Sequence, residues 1–183
     1  EAVDFYLAKG VIDRVAQKLN LNFEYRATEI DGLHPGRTAM VSLNGKDIGF
    51  IGELHPTVAN DNDLKRTYVF ELNYEEMMNV SVGYINYQPI PKYPGVSRDI
   101  ALEVEHDVPA SELTNTIHQH GADILQDTLV FDVYEGEHLD EGKKSVAIRL
   151  YYLDTENTLT DERVTKVHDQ IIEALKAKGA TIR

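Results

Sequence analysis

The hydrophobic pattern changes period several times along the chain, and each change marks an element. Between Val3 and Leu19 apolar residues recur every fourth position (Val3, Leu7, Val11, Val15, Leu19), with Ile12 widening the stripe. That spacing predicts an amphipathic helix whose stripe faces a core, ended near Asn20. From Phe23 to Ile30 the pattern alternates, as a half-buried strand does. Alternation returns over Thr38–Leu43 and Lys46–Gly52, separated by Asn44-Gly45. Asn-Gly accepts positive φ at both central positions of a two-residue turn, so it predicts a β-hairpin. After a short polar stretch behind His55-Pro56, Thr67–Asn73 alternates again. This first part reads as one helix packed on a small antiparallel sheet.

The segment YQPIPKYPG (Tyr87–Gly95) holds three prolines in nine residues. Proline removes backbone donors and keeps the chain extended, which predicts a stiff linker. The expected organisation is a first domain over 1–88, a Pro-rich linker over 89–95 and a second domain over 96–183.

Beyond the linker the alternation is cleaner. Arg98–Glu105 places Ile100, Leu102 and Val104 on one face of a strand. Pro109 and Gly121 bracket a helix with Leu113 and Ile117 on its inner side. Thr128–Gly136 forms a second strand with Leu129, Phe131 and Val133 expected inward. Ser145–Leu153 forms a third, with Val146, Ile148, Leu150 and Tyr152 inward. Thr160 caps a second helix that carries Asp161 and Glu162 in its first turn, where the helix dipole favours carboxylates. Val164, Val167, Ile171 and Leu175 are its buried stripe, Gly179 closes it, and Ala180–Arg183 supplies an edge strand.

The resulting order, β-α-β-β-α-β, is the ferredoxin-like arrangement. The whole chain is therefore α+β: a helix on a small antiparallel sheet, then a ferredoxin-like domain. With both helices on one face of the second sheet, strand alternation assigns the other face. It holds Asp99, Ala101 and Glu103 from the first strand; Val130, Asp132 and Tyr134 from the second; and Ser145, Ala147, Arg149 and Tyr151 from the third. Small, hydroxyl, aromatic and charged groups are mixed there, as on a surface that reads splayed nucleotides.

Charge limits how such a surface would work. The net charge is −13, from 18 Lys+Arg against 31 Asp+Glu. The acidity is divided between the two parts, which carry −5 and −8. Tight non-specific binding needs many phosphates neutralised by Lys and Arg, so any RNA contact is expected to be local and directed at bases. Lys143 and Lys144 suit either a phosphate contact or a solvated turn. No apolar run approaches the roughly 18 residues that span a bilayer, and no DNA-binding motif stands out. With no cysteine, disulfides and thiolate metal sites are excluded, and a cytoplasmic location is the expectation. The start at Glu1, directly in a helical pattern, suggests a piece of a longer protein.

A catalytic or metal centre is not expected. GxGxxG, P-loop, HExxH and GxSxG patterns do not occur. Gly49 and Gly52 lie at a hairpin edge without a following Lys-Ser or Lys-Thr. His118 and His120 are two apart on a helix and point to different sides. His34 and His55 each precede a proline and suit hydrogen-bonded turns. Asp61-Asn-Asp63 lacks the glycine and glutamate that a calcium loop needs.

Seven stretches carry a family resemblance. They are Asp4-Phe5, Lys9-Gly10, LHPGRTA (Leu33–Ala39), IGELHP (Ile51–Pro56), YPGVSRDIAL (Tyr93–Leu102), LVFDVYEGEHLDEGKKSVAIRLYY (Leu129–Tyr152) and TLTDERV (Thr158–Val164). In order and over essentially the whole chain, they resemble the β subunit of bacterial phenylalanyl-tRNA synthetase. The resemblance implies a ferredoxin-like domain that meets the tRNA anticodon through its open sheet face. Tyr134 would stack on an anticodon base, with Asp132, Ala101 and Ser145 beside it. Without the resemblance, an exposed strand tyrosine such as Tyr134 is more often a cross-strand packing residue, and a strand acid such as Asp132 is usually just solvated.

The first domain would end a class II synthetase-like module that has lost activity. Where such a module grips ATP with an arginine, this chain has Glu53-Leu54-His55 after Gly52. The implied partners are phenylalanine tRNA and a synthetase α subunit in an α2β2 heterotetramer, with ATP and Mg2+ used by the parent enzyme rather than here. The alternative from another class is a ferredoxin-like small-molecule regulatory or protein-interaction module.

Overall fold

A computed structural model describes residues 3–80, 90–137 and 139–183. The chain divides into two compact units, Glu1–Tyr87 and Gln88–Arg183. The Tyr87–Pro89 part of the expected linker lies outside the described residues.

The first unit contains helix α1 (Phe5–Lys18), strands β1 (Phe23–Ala27), β2 (Leu33–Leu43) and β3 (Lys46–Leu54), helix α2 (Pro56–Asp61), strand β4 (Tyr68–Leu72) and helix α3 (Tyr74–Asn79). Asp4 caps α1 by accepting from Leu7 N–H at 2.8 Å. The four strands form an antiparallel meander in chain order. Its β2–β3 hairpin turns at Asn44 and Gly45, both at positive φ (51° and 76°), as the dipeptide predicts.

The buried face of α1 differs from the expected stripe. Ile12 and Ala16 are buried, and Phe5, Ala8 and Leu19 pack beside them against Phe23, Val41, Leu43, Ile48 and Ile51. Val3, Leu7, Val11 and Val15 are exposed instead. A strict four-residue repeat drifts around a helix of 3.6 residues per turn, whereas the mixed three- and four-residue steps of Phe5, Ala8, Ile12, Ala16 and Leu19 stay on one side. In β2, the register slips between Leu33 and Thr38. His34-Pro-Gly-Arg37 is thus an irregularity within a strand, closed by Thr38 Oγ1 donating to the His34 carbonyl at 2.7 Å.

One buried charge organises the end of this sheet. Glu53 is 5% exposed. It accepts from Tyr68 Oη at 2.7 Å and Arg37 Nη1 at 3.0 Å, and it pairs with Arg66 at 3.4 Å. Burial alone would raise its pKa, but the bonds from Tyr68 and Arg37 and the two guanidinium charges outweigh it and hold the carboxyl below its ordinary value. Burial and the neighbouring Glu53 carboxylate push the Tyr68 hydroxyl up to about 12.

The second unit contains β5 (Val96–Glu105), α4 (Ala110–His120), β6 (Leu125–Tyr134), β7 (Lys143–Tyr152), α5 (Asp161–Ala177) and β8 (Thr181–Ile182). The sheet order is β6-β7-β5-β8, antiparallel throughout, which is the ferredoxin-like topology. The helices cover one face, and Leu113, Ile117, Val164, Val167, Ile171 and Leu175 meet the sheet residues Ile100, Leu102, Val104, Val146, Ile148, Leu150 and Tyr152. Tyr152 is fully buried, with its hydroxyl 3.0 Å from His168 Nδ1. Thr160 caps α5 by accepting from Arg163 N–H at 3.3 Å. At the other end Gly179 takes a positive φ of 91°, and Ala180 N–H reaches back to the Leu175 carbonyl at 3.1 Å. The chain leaves α4 differently. Gly121 stays right-handed and Ala122 carries the positive φ of 50°.

The second departure lies in β6. Its register with β7 slips between Leu125 and Asp127 and again between Val130 and Asp132. The second slip is a β-bulge with Phe131 as the extra residue, and it changes which side chains face inward. Val130, expected on the open face, pairs with buried Ile148 and packs against the core. Leu129 and Phe131, expected inward, are 56% and 48% exposed. Beyond the bulge the register keeps the expected parity, with Val133 opposite Val146 and Tyr134 opposite Ser145, but Val133, expected inward, is itself 50% exposed at this sheet edge.

The Glu53 cluster yields a prediction for stability against pH. Its folded pKa is depressed, so the stabilisation is complete above the ordinary carboxylate value and is lost as pH falls through the folded one. Glu53→Gln should lower stability near neutrality by about 1–3 kcal/mol and should flatten the acid limb. Urea midpoints measured against pH for both proteins check this; parallel acid limbs would contradict it.

Candidate nucleic-acid interface

The face of the second sheet opposite the helices is set out by its register. Strands β6, β7 and β5 place residues in rows across it. Tyr134, Ser145 and Glu103 form one row; Asp132, Ala147 and Ala101 the next; Leu129, Arg149 and Asp99 the third; Asp127, Tyr151 and Ser97 the last. Directly opposed Cβ atoms on neighbouring strands lie about 4.5–5.5 Å apart. Ala101, Asp132, Tyr134 and Ser145 therefore gather within two adjacent rows, around Ala147. Ala147 lies on this face between Asp132 and Ala101. It continues the low floor formed by Ala101 and Ser145.

Charges on the face are largely paired within it. Arg149 makes a fork to Asp99, with Nε to Oδ1 at 2.8 Å and Nη2 to Oδ2 at 2.7 Å. That fork holds the Asp99 carboxyl below, and the Arg149 guanidinium above, their ordinary values. Lys143 donates to Glu103 at 3.0 Å and to Asp140 at 3.1 Å, and these bonds raise its pKa. Lys143 is thus occupied by carboxylates, while Lys144 lies opposite Val104 in the register. Among the described residues, Asp132 has no ion pair or hydrogen-bond partner and stays exposed.

Two tyrosines on the face rest against glycines. A Cβ at Gly136 would lie 2.4 Å from Tyr134 Oη and 2.6 Å from its Cζ. A Cβ at Gly95 would lie 2.4 Å from Tyr151 Oη. The missing side chains let both rings lie close to the backbone. Tyr134 is backed by Gly136 and is still 41% exposed, a rigid ring with a free surface. The tyrosine and glycine of FDVYEG thus act together.

His34, His55, His118 and His120 make local hydrogen bonds. His34 Nδ1 accepts from Gly36 N–H at 3.1 Å, and His55 caps α2. His118 bonds Thr128 and His120 bonds the Thr116 carbonyl. Among the described residues, no three His, Cys, Asp or Glu side chains are grouped to hold a metal ion.

Comparisons with known proteins agree with this architecture. Residues 91–183 match the model of the ferredoxin-fold anticodon binding domain, and residues 1–74 match that of the phenylalanyl tRNA synthetase beta chain CLM domain. The chain belongs to the ferredoxin-fold anticodon binding domain family, in the form carried by phenylalanine–tRNA ligase beta subunits. Over all 183 residues it is 76% identical to the beta subunits of Staphylococcus epidermidis and Staphylococcus haemolyticus, and 70% identical to that of Staphylococcus aureus strain MSSA476. The alignment covers 100% of this chain and 23% of each relative, so the chain spans about a quarter of their length. The resemblance read from the sequence is borne out.

The glycine backing can be tested by itself. Gly136→Ala should displace the Tyr134 ring, seen as a changed NMR environment of that ring. Gly136 follows the strand, so thermal stability should change by no more than about 1 kcal/mol. An unmoved Tyr134 signal would show that the backbone yields instead.

Proposed function

We propose that this chain supplies tRNA anticodon recognition and part of the structural frame of a phenylalanine–tRNA ligase. The gathering of Ala101, Asp132, Tyr134 and Ser145 on two adjacent rows of an open sheet is the observation that carries the reading. Tyr134 offers a backed aromatic plane on which a base stacks. Asp132, exposed and unpaired, accepts hydrogen bonds from a Watson–Crick edge such as that of guanine. Ser145 adds a hydroxyl, and Ala101 with Ala147 keeps the floor low enough for close approach. Because the neighbouring cations already hold carboxylates, the surface selects bases rather than clamping a phosphate backbone.

In this reading 1–88 is the end of a non-catalytic class II synthetase-like module, 89–95 a linker and 96–183 the anticodon-binding domain. Glu53 supports the non-catalytic assignment, since it engages Arg37 and Arg66, the cations nearest to it. ATP and Mg2+ serve the parent ligase. Among the described residues no three His, Cys, Asp or Glu side chains are grouped to hold a metal ion, and neither group is assigned a site here. The partners are phenylalanine tRNA and a synthetase α subunit in an α2β2 assembly, in the cytoplasm. Among the described residues no helix is long and apolar enough to cross a membrane.

Titration of the assembled ligase with a phenylalanine tRNA anticodon stem-loop tests the assignment. Base–aromatic stacking is worth roughly 1–3 kcal/mol, so Tyr134→Ala should weaken binding by about 5- to 150-fold. Equal affinity of variant and parent would remove Tyr134 from the site.

A further inference from the structure

The open face presents more aromatic and apolar surface than Tyr134 alone accounts for. The bulge in β6 turns Phe131 out of the core and onto this face, next to exposed Leu129. The Arg149 guanidinium lies over the Phe131 ring, 5.3 Å from its centroid. Arg149 is fixed in turn by its two bonds to Asp99 on the far side of β7. Asp99, Arg149 and Phe131 thus form a chain of contacts across three strands that holds an exposed aromatic ring. A solvent-exposed phenylalanine stabilises nothing in the core, yet this one has its own support.

We propose that Phe131, braced by Arg149 and flanked by Leu129, is a second stacking seat for an unstacked RNA base, beside the one at Tyr134. The seat rests on the reading that this face meets a single-stranded anticodon loop. The two rings are separated by two to three residue steps along one strand, roughly 7–10 Å. Two aromatic side chains on one sheet face can receive successive bases of one strand. The guanidinium adds a second planar group over which a base can extend. Its charge is already balanced by Asp99, so the seat offers stacking rather than a grip on phosphate.

A protein strand is the competing occupant, because β6 is an edge strand with exposed apolar side chains. Two register slips within its ten residues break the regular row of backbone groups that strand addition requires. Side-chain stacking survives such slips, and backbone pairing does not. Continuity with the Tyr134 and Asp132 rows also favours the same RNA as occupant.

The test uses the assembled ligase with wild-type Phe131, Phe131→Ala, Phe131→Trp and Tyr134→Ala. Each is titrated with the anticodon stem-loop and with versions carrying one abasic residue at each loop position in turn. Phe131→Ala should weaken binding by roughly 5- to 150-fold, and Phe131→Trp should restore it to within about twofold. One abasic position should reproduce the Phe131→Ala loss and abolish any further effect of that variant. It should differ from the position that does so for Tyr134→Ala. Full affinity in Phe131→Ala beside a loss in Tyr134→Ala overturns the second seat and leaves the Tyr134 reading standing. Full affinity in both overturns the two together. A Phe131→Ala loss equal on every abasic loop and not restored by Trp marks a structural role and overturns the seat. So does a protein partner whose binding depends on Phe131 while the RNA titration does not.

Discussion

Strand β7 is the constraint on which the second unit depends. It is an inner strand between β5 and β6, and its Val146, Ile148, Leu150 and Tyr152 side chains are fully buried beneath the helices. Because side chains alternate strictly along a strand, this burial sends Ser145, Ala147, Arg149 and Tyr151 to the opposite face. Slipping the register by one residue would bring Arg149 into the core and expose four large apolar groups. The core therefore sets the composition of the open face indirectly. That face is what remains after the buried half of each strand has been fixed.

Charge on that surface is arranged by the same register. Asp99 stands opposite Arg149, and Glu103 receives Lys143 from the neighbouring strand. Exposed ion pairs contribute little to stability. Their larger effect here is to cancel local fields and hold long side chains in one place. A protein with net charge −13 would otherwise repel RNA across the entire sheet. Pairing ties up Arg149 and Lys143 with carboxylates, while Asp132 keeps its accepting capacity.

Much of this was legible in the sequence, because regular alternation and helix-end chemistry are local properties. The faces of β5 and β7, the Asn44-Gly45 turn, the Thr160 cap and the Gly179 stop could each be read from a few consecutive residues. The errors arose where geometry departed from a fixed period. The stripe Val3, Leu7, Val11, Val15 looked periodic, but its spacing drifts off the helix face that Ile12 and Ala16 bury. In β6 one extra residue inverted the expectation for Val130, Leu129 and Phe131. No residue in that stretch announces the bulge, since it is no glycine or proline that slips but the pairing with β7. The four predicted site residues escaped this error because three lie on other strands or beyond the bulge, and Asp132 regains its parity immediately after it.

The bulge also gives FDVYEG two separate uses. An unbroken β6 with the parity of Asp132 and Tyr134 would bury Phe131 and expose Val130, giving one aromatic ring on this edge of the face. The insertion instead buries Val130 without moving Asp132 or Tyr134 from the open side, and it adds Phe131 to them. A core-sized side chain is thereby taken from packing and supported by the Arg149–Asp99 fork. Such an exchange lowers hydrophobic burial in the domain, so it is understandable where the exposed ring has a task. Gly136 makes the complementary adjustment at the end of the strand, where a missing Cβ admits the Tyr134 ring. Backbone irregularity at one end and side-chain absence at the other leave two aromatic rings exposed on one face of an edge strand.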